Sequence, residues 1–311
     1  MSAPRLAAAE AVLWARAGVA PTEHFVTLAT GPRVRVQAVG EGPPVLFVHG
    51  AMNGGTSWSG LIGRLPGFRC LAIDRPGCGL SEPVRGAAGM AEVDAVKAYA
   101  DRLIPDVLDA LGLERASVVA TSFGGLFAFR GAAAHPDRID RITEFSWPMG
   151  APMDKVTVSL RLGAVPGMRR LMPRIPMTRP VLRAMLRQIG LRRALANGRF
   201  SDEMLEWFLA LLRDTDTLAN ELRSTPGVIT PIAGLTRDML LTDAELGRVT
   251  MPVQLLWGAE DPNGGREIAD SFASRLPDAR LVMFDEAGHA PWIDEPEQCA
   301  TLLAGFLSGS E

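Results

Sequence analysis

The chain has 311 residues, of which 47% are hydrophobic and 22% charged, and a formal net charge of −3. That length and apolar content suit a large α/β domain with room for an insertion and exclude a disordered composition. The slight negative charge gives no general reason to expect nucleic acid or an anionic membrane as partner. Lysine occurs only at Lys97 and Lys155, so arginine supplies nearly all of the 32 basic residues; with the abundant Ala, Gly and Pro, this reads as compositional bias. Cys70, Cys78 and Cys299 are too few and too scattered for a disulfide framework or a thiolate zinc site. Glu10 and Arg16 interrupt the apolar N-terminal run, so it lacks a signal-peptide core, and no run reaches the roughly 18 apolar residues of a membrane span. A cytoplasmic protein without stable membrane insertion is expected.

In chain order, residues 5–17 predict a short helix ahead of the main fold. Two strands follow, near 24–29 and 33–39, joined by the hairpin signal Gly31-Pro32. Pro43-Pro44 introduces Val45-Leu46-Phe47-Val48, a wholly apolar run typical of a central parallel strand, which ends in His49-Gly50. Residues 68–74 predict a strand closing in the glycine-rich turn Asp74–Gly79. Val93, Val96, Leu103, Ile104, Val107, Leu108 and Leu111 set a helical period over 92–111, with Pro105 expected to kink or restart it near Ile104. Residues 117–121 predict a buried strand that stops at Ser122 and turns at once into a helix, and 141–147 predict the next strand. From Pro148 to about Gly247 no convincing strand is evident, only helical periodicity broken by prolines; Ser201 is a helix start with an apolar face of Leu205, Phe208, Leu209 and Leu212. Alternation resumes with a strand at 253–257, a helix over 266–276, a strand at 280–284 and a final helix from Pro296 to about Leu307. The pattern predicts a mostly parallel sheet with helices on both faces, a core of residues 1–147 and 247–311, and a helical insertion over 148–246.

Ser122 lies on a sharp strand-to-helix turn with small residues, Ala120 and Gly124, two places on either side. Such a turn projects the side chain above the sheet and aims free helix N–H groups at it. His49, Asp261 and His289 also lie just past strand ends, the edge where ligands gather in open α/β sheets. A serine hydroxyl needs a neighbouring imidazole to take its proton, and the imidazole needs a carboxylate to fix its tautomer and steady its charge. Ser122, a following acid and His289 supply that set; Asp261 is the acid at a strand end, Glu260 is its neighbour, and Asp285 lies close in sequence to the loop of His289. His24 and His135 fit the base role poorly. An oxyanion would be held by the N–H groups of Phe123 and Ala51. Met52, Trp147, Met149 and Trp292 are candidate pocket residues, although core packing suits both tryptophans equally. No cluster has metal-ligand spacing and no phosphate-binding glycine motif is present, so neither metal nor nucleotide cofactor is expected.

These residues carry a family resemblance. Phe47-Val48-His49-Gly50 with Trp58, Asp74-Arg75-Pro76-Gly77-Cys78-Gly79-Leu80-Ser81, the serine turn, Gly258-Ala259-Glu260-Asp261-Pro262, and Gly288-His289 with Glu295-Pro296 follow one another as in the capped α/β-hydrolases. The resemblance covers about 24–147 and 248–308. It implies the α/β-hydrolase fold with a cap over 148–246, and a triad of Ser122, Asp261 and His289. It also implies a serine hydrolase acting on a small apolar ester, thioester or lactone. The rival readings are a carbon–carbon hydrolase of a diketone-like ring-cleavage product using the same triad, and a ligand-binding receptor that retains it. Family members acting on haloalkanes and epoxides use an aspartate where this chain has Ser122, and the epoxide hydrolases also carry cap tyrosines, whereas Tyr99 lies outside the expected cap. Residues 148–200 hold ten arginines against one acid, Asp154. That segment reads as a solvated helical face exaggerated by the arginine bias, the sharper alternative being an anion- or membrane-facing surface.

Overall fold

The computed structural model describes residues 3–84, 92–155, 158–230 and 234–310. Its strands are β1 (Thr22–Thr27), β2 (Arg33–Val39), β3 (Pro44–Val48), β4 (Arg69–Ile73), β5 (Ala116–Thr121), β6 (Ile139–Phe145), β7 (Ile229–Thr230), β8 (Gly234–Leu235), β9 (Val253–Gly258) and β10 (Ala279–Phe284). Helices α1 (Pro4–Arg16), α2 (Ser59–Ile62), α3 (Val93–Ala110) and α4 (Phe123–Ala134) precede β6. Between β6 and β9 run α5 (Val158–Ala164), α6 (Pro166–Leu171), α7 (Arg179–Gln188), α8 (Arg192–Ala196), α9 (Asp202–Asp214), α10 (Thr217–Val228) and α11 (Asp243–Leu246). The chain closes with α12 (Arg266–Ala273), α13 (Pro291–Asp294) and α14 (Pro296–Ser308).

Eight strands form one sheet in the order β1-β2-β4-β3-β5-β6-β9-β10. Only β2 runs against the others; from β4 to β10 every pairing is parallel. The apolar runs are continuous because alternate residues feed two cores. Leu46 and Val48 of β3, with Val118 and Ala120 of β5, pack under α3, α4 and α12. Val45, Phe47 and Val119 face the opposite way, onto Trp58, Leu61, Trp292 and Leu303. Each fully buried Val, Leu or Phe contributes about 1.5–3 kcal/mol of transfer free energy, so one polar substitution in β3 disturbs a whole layer. β4 and β5 flank β3, so the chain switches sides there, and the switch opens a crevice at the carboxyl ends of β3 and β5.

Of the two outcomes expected at Pro105, a kink or a new start, the new start is overturned: α3 runs unbroken from Val93 to Ala110 with Pro105 buried in it. The lost N–H bond is offset by burial of Leu103, Ile104 and Pro105, Ile104 resting against Gly131 of α4. The insertion also holds an antiparallel pair, β7 with β8. At two residues each, these strands are too short for alternation to reveal. Elsewhere Ser201 caps α9, its side chain accepting the Met204 N–H at 3.3 Å. No helix among the described residues is long and apolar enough to cross a membrane.

Candidate active site

β5 ends at Thr121 and α4 begins at Phe123, so Ser122 makes the reversal alone, at φ 55° and ψ −119°. A non-glycine residue in such a backbone costs about 1–3 kcal/mol and persists only where its surroundings over-determine it. Here the Ser122 carbonyl accepts the N–H groups of Gly125 (3.0 Å) and Met149 (2.8 Å). Helix α4 also meets β3 so closely that a Cβ on Gly124 would run into the Val48 carbonyl oxygen. Only glycine permits that approach.

Asp261 follows β9 and His289 follows β10, two neighbouring strands whose ends are in register at Phe284 and Gly258. His289 Nδ1 lies 2.7 Å from Asp261 Oδ2. The same carboxylate accepts the Trp147 N–H at 3.0 Å and, through Oδ1, the Asn263 N–H at 2.9 Å. These donors keep the buried Asp261 oriented, and the Nδ1 contact leaves Nε2 as the basic nitrogen. Behind the pair, Ser146 at φ 59° joins the two loops: its hydroxyl donates to the Gly288 carbonyl and accepts the Gly258 N–H, both at 3.1 Å. A Cβ on Gly288 would strike the Gly190 carbonyl oxygen of the insertion, and one on Gly258 the Gly288 carbonyl oxygen. Three backbones therefore stack beside His289.

The loop after β3 is fixed by Arg75. Its Nε and Nη2 donate to the His49 and Gly50 carbonyls at 2.9 Å each, and its N–H donates to His49 Nε2 at 2.9 Å. His49 is neutral, its pKa held well below the usual range by burial and then by Arg75. The Arg75 guanidinium also stacks over Phe123, 4.8 Å from the ring centroid. Glu221 of α10 binds Arg75 Nη2 at 3.1 Å and accepts the Met52 N–H at 3.1 Å, holding Met52 at φ 52°. One arginine thus touches both segments expected to supply oxyanion donors. Asp74 beside it is structural, accepting the N–H groups of Gly55 (2.8 Å) and Leu80 (3.0 Å).

Ala51, Met52, Ser122, Trp147, Met149, His289 and Trp292 line one cavity, with about 1170 Å³ of empty space, part of it open solvent. Leu182, Met185 and Leu186 of α7, Met204 and Phe208 of α9, and Met153 belong to its largely apolar wall. Asp261 sits behind His289 rather than on this wall. The Phe123 side chain points away, into a second cavity of about 550 Å³ shared with Tyr99, Asn220 and the Arg75–Glu221 pair. Cys78 is no rival nucleophile: it is wholly buried, and burial followed by Glu221 pushes its thiol pKa well above the usual range.

The sequence profile of the alpha/beta hydrolase family matches residues 45–302. The chain belongs to that family. It is 31% identical over 290 residues to a pimeloyl-[acyl-carrier protein] methyl ester esterase of Aromatoleum aromaticum, covering 86% of this chain and 99% of that one. To a 2-hydroxy-6-oxononadienedioate/2-hydroxy-6-oxononatrienedioate hydrolase of Cupriavidus pinatubonensis it is 26% identical over 288 residues, covering 88% and 91%. Among solved structures, an epoxide hydrolase of Bacillus megaterium superposes with a TM-score of 0.76 at 19% identity, covering 92% of this chain and 100% of its own. That last likeness establishes the fold and leaves the chemistry to the site.

In this hydrolase-family chain, four residues of the site neighbourhood escape sequence reasoning. Asn263 lines the cavity, and its side-chain nitrogen lies 3.3 Å from His289 Nδ1. Its position two residues past Asp261 was the available signal. Glu221 and Ser146 gave none, since their partners are distant in sequence. Glu144 of β6 is wholly buried beneath the serine turn, so close to α4 that a Cβ on Gly125 would lie 2.6 Å from its Oε1. Neither of its oxygens has a hydrogen-bond partner among the described residues; the Ser122 N–H faces the carboxyl without a well-shaped bond. Burial pushes its pKa well above the carboxylate range, the Ser122 N–H pulls the other way, and the charge of Asp261 raises it further.

Proposed function

We propose that this chain is a cofactor-independent serine hydrolase that cleaves a carboxylic ester, thioester or lactone of a small apolar acyl compound through an acyl-enzyme on Ser122. The observation that carries the reading is the 2.7 Å pairing of Asp261 with His289, which lines the same cavity as the strained Ser122. Ser122 Oγ attacks the carbonyl carbon while His289 Nε2 takes the hydroxyl proton, and Asp261 steadies the imidazolium. The N–H groups of Phe123 and Ala51 hold the oxyanion. As the tetrahedral centre collapses, His289 returns the proton to the leaving group. Water, deprotonated by the same imidazole, then releases the acid. Residues 148–246 serve as the cap that closes the acyl cavity over the core.

A panel of aryl esters of increasing acyl length, given to the wild type and to Ser122→Ala, tests this. The wild type shows an acyl-enzyme burst and a preference for apolar chains, and Ser122→Ala loses at least ~10³-fold in kcat. A variant as fast as the wild type sinks the mechanism. Absence of turnover with every ester favours a receptor that retains the triad for binding.

The relative from Cupriavidus supports a second reading, carbon–carbon cleavage of a ring-fission product by the same triad. Such a product carries a carboxylate, and among the described residues the cavity wall contains no arginine or lysine. The ester reading therefore stands first. Presenting a dienoate and an aryl ester side by side decides between them by the ratio of kcat/KM.

A further inference from the structure

Residues 158–187 of the insertion carry seven arginines and no acid, in a chain whose net charge is −3. Arg179 and Arg183 reach Glu206 and Asp202 of α9. Arg161, Arg169, Arg170, Arg174 and Arg187 have no carboxylate partner among the described residues, although arginines throughout the core, such as Arg35, Arg75 and Arg130, are paired. Compositional bias explains many arginines; it does not explain why this segment lacks acids. The same stretch holds Val158 (63% exposed), Leu162, Val165, Leu171 (49%), Ile175 (46%) and Val181. Elsewhere among the described residues only Val12 is a large aliphatic side chain so exposed. Aliphatic side chains clustered on an exposed segment are unfavourable in water, and interleaved with cations they match a surface that offers anionic groups above an apolar layer. In α7, which follows in the chain, Leu182, Met185 and Leu186 line the cavity wall while Val181 and Arg187 face solvent.

We infer that α5, α6 and α7 form a docking face for an anionic lipid surface, seated by Arg161, Arg169, Arg170 and Arg174 with Leu171 and Ile175 dipping among the acyl chains. The attachment is peripheral and reversible, since no described helix is built to span. It does not depend on the hydrolase reading, so the binding test uses full-length Ser122→Ala protein, in which no turnover can alter the lipid.

The measurement is co-sedimentation with vesicles of phosphatidylcholine alone and of phosphatidylcholine mixed with phosphatidylglycerol. Binding to the mixed vesicles, little to the neutral ones, and a fall of at least ~10-fold near 1 M salt, where the Debye length is about 3 Å, are expected. Arg169→Glu/Arg170→Glu/Arg174→Glu lowers partitioning by ~10²-fold or more, at roughly 5-fold per cation removed. Leu171→Asp/Ile175→Asp weakens it as well, and all five side chains are at least partly exposed, so a melting curve matching the parent certifies the fold. No binding, equal binding to both vesicles, or binding unmoved by the triple change overturns the inference. So does a stable dimer in light scattering that Leu171→Asp/Ile175→Asp dissolves, because a second copy then covers the face.

Discussion

Glu144 is a buried acid directly under a nucleophile candidate, and its protonation has a measurable consequence. The native state holds this proton above the ordinary carboxyl pKa of 4.5, whereas the unfolded chain has released it. The folded protein therefore binds one more proton, and its stability falls by up to ~1.4 kcal/mol per pH unit from the unfolded pKa upward to the folded one. Glu144→Gln keeps the shape without the titration. It melts higher than the wild type at mildly alkaline pH, and the gap closes towards the ordinary carboxyl pKa. Calorimetry across that range checks this, and a gap that widens in acid shows that Glu144 is ionised in the native protein. At this scale the sequence told half the story. Ser122, Asp261 and His289 were legible because each stands at the end of a readable strand. Glu144 looked like any strand residue, since nothing local shows that its side chain faces inward.

At the level of elements, the turn after β4 and helix α10 act together on the loop after β3. Glu221 alone couples Met52, Arg75 and Cys78. Removing it as Glu221→Ala leaves the buried Arg75 without its carboxylate and frees the loop that carries Ala51. Displacements of about 1 Å near reacting atoms can cost ~10²-fold in rate. Glu221→Ala therefore lowers kcat by ~10–10²-fold while KM for a small ester moves less, as steady-state kinetics with one aryl ester would reveal. A loss confined to KM would instead make Glu221 a wall of the pocket. The partnership was invisible in the sequence because 146 residues separate Arg75 from Glu221. The short β7–β8 pair and the continuity of α3 through Pro105 escaped for a related reason: tertiary packing, not local pattern, decides both.

Across the whole molecule, α1 binds sheet and insertion to each other. Glu10 grips Arg35 of β2 with two bonds, 2.9 and 2.6 Å, and accepts Thr56 Oγ1 at 3.0 Å. Leu6 and Leu13 of the same helix pack with Trp207 and Leu211 of α9. Burial lifts the Glu10 pKa and Arg35 opposes the shift, so the pair is a desolvated one. Breaking it as Glu10→Ala strands a buried guanidinium and costs ~3 kcal/mol, the low end for such pairs because Glu23 and Asp74 still face Arg35. Urea titration measures that loss, and a change below ~1 kcal/mol would mean that solvent reaches Arg35 freely. The alternating core elements were readable in order, since their apolar runs feed two opposed layers. The fastening by α1 was not, because a charge at position 10 gives no sign that it is buried. The stack of Gly190, Gly288 and Gly258 has its own consequence. With no side chain between these backbones, the chain has no slack where Gly190 meets the His289 backbone. A movement that parts Gly190 from Gly288 also disturbs the peptide that holds the imidazole. Under the proposed mechanism, lifting the cap at this point therefore shifts the general base as well.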